Sequence, residues 1–135
     1  VPPFTLERIQ RWTSFIDYSK ILTIVAVLKE RNGNKIVGSA SLSFNERKIM
    51  AHKAELSIAV HDNYQNMGLG TAMLEHLVSI GSMKSLKKIW LLVDTDNEAA
   101  VHIYKKIGFE IEAKLLKERC YDGEFGDCYR MAVFL

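Results

Sequence analysis

The most chemically suggestive segment of the sequence is residues 65–71, in which Gly68 and Gly70 stand two positions apart. It lies between an alternating apolar stretch, residues 54–60, and a stretch with apolar residues at helical spacing. A helix N-terminus carries unpaired N–H groups and a partial positive charge, so a glycine-rich entry lets the backbone close around phosphate oxygens. The loop therefore predicts a phosphate site, although the two glycines alone indicate only a tight turn.

Two common phosphate motifs are absent from this loop. No Gly-Lys-Ser/Thr follows it, which excludes that type of nucleoside-triphosphate loop, and no third glycine completes a dinucleotide fingerprint. Further along the chain, Asn97 and Tyr104 are seven residues apart in a stretch that predicts a helix. Seven residues are two helical turns, so both side chains should face one groove.

The elements that must position these residues follow from apolar periodicity. In chain order we predict a helix over 4–18, strands over 22–28 and 35–44 around a turn at 32–34, a strand over 54–60, a helix from 72 to a stop at Gly81, a strand over 88–93, a helix over 97–107 ended by Gly108, and strands over 109–120 and 125–135 around an Asp-Gly turn. No repeat or linker interrupts this order, so residues 1–135 are predicted to form a single domain of the α/β or α+β class.

The composition excludes several classes of function. The 18 basic and 16 acidic residues give a net charge of +2 and are spread along the chain, with no basic arm for nucleic acid. The apolar runs are a few residues long, well below the roughly 20 needed to cross a bilayer, so no membrane span is predicted. The chain begins with Val1 instead of Met, which indicates a processed or trimmed start.

The two cysteines do not predict a metal cage or a disulfide. An Asp-Gly turn at 122–123 would pair Cys120 with Phe125 and place Cys128 on the opposite sheet face. The spacing does not match a zinc site, and a reducing cytoplasm is the default location.

Two segments together resemble the GNAT superfamily of N-acetyltransferases. Residues 65–71 resemble its pyrophosphate signature, Gln/Arg-x-x-Gly-x-Gly/Ala, and residues 97–109 resemble its Asn-x-x-Ala-x-x-x-Tyr helix closed by Gly-Phe. The resemblance runs from about Thr23 to the C-terminus, and residues 121–125 are similar to the terminal hairpin of amine-acetylating branches. It implies a mixed, mostly antiparallel sheet flanked by helices, with the family's first strand absent or displaced in this chain.

The resemblance also implies acetyl-CoA as co-substrate and no metal. By resemblance, the backbone of Ile58, Ala59 and Val60 should run beside the pantetheine like an added strand, and Asn97 and Ala100 should contact the cofactor from their helix. The pyrophosphate should lie on the loop amides of Gln65, Asn66, Met67, Gly68, Leu69, Gly70 and Thr71. Asn66 and Met67 stand where the family often has glycine and basic residues, so phosphate binding would depend more on backbone amides.

Acetyl transfer to an amine needs a deprotonated nucleophile, a polarised thioester carbonyl and a proton for the departing thiolate. The family's tyrosine at the position of Tyr104 commonly supplies that proton. Glu55 is the first candidate for the base, acting through ordered water, and His52 is the reserve. The alternatives are that the tyrosine ring only packs in the core and that the glutamate is a solvated or ion-paired carboxylate.

The predicted function is transfer of an acetyl group from acetyl-CoA to a primary amine of a small molecule, such as a polyamine or an amino acid, by direct attack in a ternary complex. Two alternatives stay open. The acceptor could instead be a peptide N-terminus, or the chain could be a non-catalytic acyl-CoA-binding module. Family members often pair through their terminal strands, which implies a homodimer.

Overall fold

The structure, a computed structural model, describes residues 9–11 and 20–135. Its helices and strands, in chain order, are β1 Ile9–Arg11, β2 Ile21–Glu30, β3 Gly33–Phe44, β4 Lys53–Val60, α1 Leu69–Met83, β5 Lys88–Asp94, α2 Glu98–Ile107, β6 Glu110–Tyr121 and β7 Glu124–Phe134. The described strands form one sheet in the order β1-β2-β3-β4-β5-β7-β6. All neighbouring pairs are antiparallel except β4 and β5, which are parallel. The mixed, mostly antiparallel sheet with flanking helices is thus confirmed.

The beginning of the chain differs from the prediction. Ile9–Arg11 form a strand antiparallel to Ile24–Ala26 of β2, which contradicts the predicted helix at these positions. Of the two alternatives for the family's first strand, absent or displaced, the presence of this short strand excludes simple absence. The pairing covers backbone groups of β2 that would otherwise form a sheet edge, and this outweighs the local helical periodicity. The rest of the predicted helix, residues 4–8 and 12–18, lies outside the described residues.

The first long helix also differs from the prediction, because it continues past Gly81 to Met83. Gly81 is buried, and a Cβ atom there would lie 2.7 Å from Cδ1 of Ile89 on β5. The glycine therefore allows the helix to approach the strand closely and does not end the helix. The predicted stop of the second helix is confirmed, since Gly108 caps α2 in the left-handed conformation with φ 116°.

One apolar cluster joins the sheet to both helices. Its buried members come from α1, from five strands and, as Leu86 and Phe109, from the segments before β5 and β6, and side chains of α2 pack against it. We call the sheet face covered by these helices the helix face, and the opposite one the far face. Along β4, Ala54 and Leu56 are buried on the helix face, and the alternating residues Glu55 and Ser57 point to the far face.

Hydrogen bonds and an ion pair join the terminal hairpin, β6 and β7, to Asp94 at the end of β5. Cys120 pairs with Phe125 as predicted, and both cysteines are free, Cys120 exposed and Cys128 buried. The Cys128 thiol lies 3.3 Å from Oδ1 of Asp94, which also accepts a 2.9 Å ion-paired contact from Nε of Arg119. These contacts connect β5, β6 and β7 at the point where the chain turns towards α2.

The core predicts a contrast between two leucines in strands. Leu91 on β5 is 1% exposed, and Leu116 on β6 is 72% exposed. We expect Leu91→Ala to lower the free energy of unfolding by about 2–5 kcal/mol, because it removes buried methyl groups and leaves a cavity. Leu116→Ala is the matched control and should change it by less than about 0.5 kcal/mol in urea unfolding. Equal losses in the two variants would contradict the described core.

Candidate functional site

The sheet opens between its two parallel strands. Pairing of β4 with β5 is limited to Lys53 with Lys88, Ala54 with Ile89 and Glu55 with Trp90, although β4 continues to Val60 and β5 to Asp94. Beyond Glu55 the strands separate, and the second half of β4 loses its neighbour on that side. In α/β sheets, ligands bind in such a crevice at the carboxyl ends of parallel strands.

Backbone alternation decides which residues of β4 face this opening. The His61 N–H donates to the Val37 carbonyl at 2.8 Å, which places the odd-numbered residues of β4 in hydrogen-bonded pairs with β3. The even-numbered residues then direct their N–H and C=O groups the other way, as His52 does when its carbonyl accepts from the Lys88 N–H at 3.3 Å. Ile58 and Val60 therefore turn their backbone polar groups to the opening, and Ala59 turns its own to β3.

The loop after β4 leads directly into the N-terminus of α1. Gly68 is the N-cap, with φ 80° and no side-chain cap hydrogen bond, and the first bond within the helix runs from the Ala72 N–H to the Gly68 carbonyl. The N–H groups of the intervening residues, Leu69 to Thr71, thus have no partner within the helix. The first turn contains no acidic residue, so nothing on the helix opposes an anion at this end.

The exposed Gln65 side chain ties the loop to the end of β4. Its Nε2 lies 3.3 Å from the Val60 carbonyl and 3.3 Å from Oδ1 of Asp62, and it donates to both. The next residue, Asn66, has a positive φ of 61°. The Gln65 side chain therefore fixes the path from strand to helix, while the loop amides are left for a ligand.

A cavity of about 270 Å³ lies between the open edge of β4, this loop and α2. Its lining residues are Ile58, Val60, Tyr64, Gln65, Asn66, Gly68, Gly70, Thr71, Leu74, Asn97, Ala99, Ala100, Ile103 and Tyr104. The loop and the helix that the sequence singled out thus meet in one place, although about 30 residues separate them in the chain.

Four lining residues were missed by the sequence predictions: Tyr64, Leu74, Ala99 and Ile103. Three of them could have been found from their positions in the sequence. Ala99 and Ile103 are next to the predicted site residues Ala100 and Tyr104 on α2, and Leu74 is one helical turn after Gly70. Tyr64 lies in a short 3₁₀ turn, Asp62–Tyr64, where no periodicity marks it.

Some predicted residues do not line the cavity. The Leu69 side chain is 1% exposed in the core, so only its backbone can contribute to a site. Met67 is exposed, and Ala59 points to the far face. Glu55 also lies on the far face, in register with Ser43 and Trp90. The reserve base, His52, is exposed before β4, at the end remote from the opening.

Tyr104 combines burial with access to the cavity. Its ring lies 5.9 Å from that of Phe109, centroid to centroid, and burial raises the pKa of its phenol above the ordinary value of 10.0. Removing the phenol from water disfavours the charged phenolate, so the group stays protonated at neutral pH and can donate a proton.

Asn97 is the N-cap of α2. Its Oδ1 accepts a hydrogen bond of 3.3 Å from the Ala100 N–H, which is an ordinary capping interaction. The Nδ2 group has no part in this cap, so it is the group of Asn97 that stays available to donate to a ligand.

Comparison with known proteins agrees with this geometry. The family model of the acetyltransferase (GNAT) family matches residues 2–109. The spermidine N(1)-acetyltransferase of Escherichia coli K12 is 36% identical over 83 residues, which are 61% of this chain and 45% of that protein. The L-amino acid N-acetyltransferase AaaT of the same organism is 32% identical over 98 residues, 72% of this chain and 60% of that protein. A GNAT-family acetyltransferase from Streptococcus pneumoniae superposes with a TM-score of 0.79 at 33% identity, covering 86% of this chain and 68% of the other.

The chain belongs to the GNAT family of acetyltransferases, because the family match covers more than half of it. It spans about half the length of the spermidine acetyltransferase that it matches. Within residues 9–11 and 20–135, no helix has the length and apolarity to cross a membrane. The same residues contain no group of three or more His, Cys, Asp or Glu side chains arranged to bind a metal.

The raised pKa of Tyr104 predicts a pH dependence of stability. Because the folded-state pKa lies above the unfolded-state value of 10.0, the contribution is complete below about pH 10 and is lost as the pH rises towards the folded-state value. Wild type should therefore lose more unfolding free energy than Tyr104→Phe between neutral pH and a pH above about 10. Urea unfolding of both proteins at the two pH values measures the difference, and parallel losses would show that the phenol is not desolvated.

Proposed function

We propose that this protein transfers the acetyl group of acetyl-CoA to a primary amine of a small molecule by direct attack in a ternary complex. The observation that carries the proposal is the convergence in one cavity of an open strand edge, a helix N-terminus without a side-chain cap and a half-buried phenol. These three features match, in order, the amide-rich arm, the pyrophosphate and the thioester of CoA.

The open edge of β4 supports the placement of the pantetheine arm. The arm contains two amide groups, which can pair with the N–H and C=O of Ile58 and the N–H of Val60 like an added strand. The Val60 carbonyl is already held by Gln65, so the arm has fewer partners at that end. Strand-like pairing holds the arm extended and directs the thioester towards the closed end of the opening.

The N-terminus of α1 supports the placement of the pyrophosphate. The N–H groups of Leu69, Gly70 and Thr71 can each donate to a phosphate oxygen, and the helix dipole favours the negative charge. The position of Gly70 has room for a Cβ atom, because such an atom would meet only Cγ2 of Val60, at 4.0 Å. This agrees with glycine or alanine at the corresponding place of the family signature.

Tyr104 is proposed as the general acid. In the reaction the amine nitrogen attacks the thioester carbonyl carbon, a C–N bond forms, and the C–S bond breaks. The departing thiolate takes the phenolic proton of Tyr104, and the nitrogen then releases a proton that restores the phenol through water. A phenol that is protonated at neutral pH is suited to this step.

Glu55 is proposed as the base that removes the first proton from the incoming ammonium ion. It is the last residue of β4 that is still paired with β5, and it points to the far face. A carboxylate on that side can act through water on an amine that approaches from the far face while CoA occupies the cavity. The two reactants would then meet at the opening from opposite sides of the sheet.

The acceptor is proposed to be a small amine because two of the relatives act, by name, on spermidine and on L-amino acids, while others act on protein N-termini or a ribosomal protein. No metal is needed for this chemistry, since the transfer uses only acid, base and hydrogen-bond donors. A reducing cytoplasm is the proposed location, where an exposed thiol such as Cys120 stays unpaired.

Tyr104→Phe tests the proposed acid and separates an enzyme from a non-catalytic binding module. We expect the variant to lower kcat by about 10²–10⁴-fold while the Kd for CoA, measured by calorimetry, stays unchanged. Tyr129→Phe is the matched control, because Tyr129 packs half-buried against the same cluster but does not line the cavity. A wild-type rate of CoA release in Tyr104→Phe would refute the acid role, and absence of CoA binding by the wild type would refute the whole proposal.

A further inference from the structure

A second, smaller groove lies on the far face of the sheet, between β3 and β4. Its volume is about 120 Å³. Its described lining residues are Ser39, Ser41, Ser57, Ile58 and Ala59, and we call it the serine groove. All the side chains except that of Ile58 are small, so the groove is narrow and rich in hydroxyl groups.

The serine groove and the larger cavity have Ile58 in common. Ile58 lies on the part of β4 that has separated from β5 and directs its backbone to the opening. The two concave sites are thus on opposite sides of one strand, next to a gap in the sheet. A molecule in the serine groove can reach a group held in the cavity through this gap.

The hydroxyl groups are arranged in register. Ser41 on β3 lies directly opposite Ser57 on β4, and Ser39 lies opposite Ala59. Residues opposite one another in an antiparallel pair have Cβ atoms about 4.5–5.5 Å apart, so one amino or ammonium group can donate to both hydroxyls. Glu55 is two residues before Ser57 on the same face, and its carboxylate adds negative charge at this end of the groove.

The charges around the groove disfavour a carboxylate ligand. No lysine or arginine is among its described lining residues. On the neighbouring strands, Lys88 and Arg130 are both engaged by Glu112, through Lys88 Nζ at 2.6 Å and Arg130 Nε at 3.3 Å. Lys53 is on the same face of β4 as Glu55, but it lies two residues before Glu55, on the side away from Ser57 and the groove. The Arg130 guanidinium also stacks 3.9 Å above the ring of Trp90. The hydrogen bond from Lys88 holds the pKa of the Glu112 carboxyl below its ordinary value, as expected of a stable pair.

We propose that the serine groove binds the acceptor, and that the acceptor is an unbranched aliphatic amine with no carboxylate beside the reacting end, such as an α,ω-diamine. This rests on the proposed acetyl transfer and narrows its substrate class. The hydroxyls of Ser41 and Ser57 accept from the ammonium group, and Glu55 supplies the opposite charge. An amino acid would bring its own carboxylate next to Glu55, and Lys53, the cation on the same face of β4, lies beyond Glu55 on the side away from the groove.

Binding of two matched ligands tests the proposed class. Cadaverine and lysine differ only in the α-carboxylate, so both are titrated by calorimetry into protein saturated with CoA. We expect cadaverine to bind at least about tenfold more tightly, because lysine would place a second carboxylate close to Glu55 in a groove whose described lining includes no lysine or arginine. Equal binding, tighter binding of lysine, or binding of neither ligand to the CoA-loaded protein would overturn the inference. Failure of CoA itself to bind would instead refute the proposed function.

Alanine variants test the groove directly. Ser41→Ala and Ser57→Ala should each weaken cadaverine binding by about three- to tenfold and leave the Kd for CoA unchanged, since each removes one hydrogen-bond acceptor on the far face. Ser43→Ala is the control, because Ser43 is on the same face of the same strand but does not line the groove. The inference is overturned if the control and the groove variants weaken cadaverine binding equally, or if none of them does.

Discussion

The separation of β4 from β5 is the constraint on which the rest of the site depends. The two strands pair over only three residues and then diverge, so a parallel pair that begins as ordinary sheet ends as an open crevice. The α1 helix lies between them in the chain and packs against β2, β3 and β4. Its N-terminus consequently stands at the carboxyl end of β4, beside backbone groups that no strand has paired. One divergence thus supplies both an extended edge for a chain-like ligand and a helix end for its phosphates.

Successive residues of β4 point their side chains to opposite faces of the sheet, so the strand contributes to both the cofactor side and the proposed acceptor side. Even-numbered residues place side chains on the helix face and backbone groups in the opening, whereas odd-numbered residues bond to β3 and present side chains to the far face. Ile58 therefore serves the cofactor side, while Ser57 and Glu55 face the proposed acceptor side. The sheet itself separates donor from acceptor, and they can meet only where the sheet is open.

Much of this arrangement was predictable, because the two motifs depend on local geometry. Residues 65–71 and 97–109 specify a strand-to-helix turn and a helix face, and both were located correctly from spacing alone. Ile9–Arg11 were not, since the neighbouring strand that pairs with them overrides their helical pattern. Gly81 was mistaken for a helix stop because its close contact with Ile89 is invisible in the sequence. The serine groove was also missed, since Ser41 and Ser57 become neighbours only through the register of β3 with β4.

The most direct test of this account is amide hydrogen exchange along β4, followed residue by residue with and without CoA. Because Ile58 and Val60 direct their N–H groups to the opening, their exchange should slow when CoA binds. Ser57 and Ala59 already donate to β3, so their exchange should change little. Protection that follows this alternation is the predicted result. Binding of CoA with no slowing at Ile58 and Val60, or with equal slowing at all four residues, would contradict the claim that the open edge of β4 holds the cofactor.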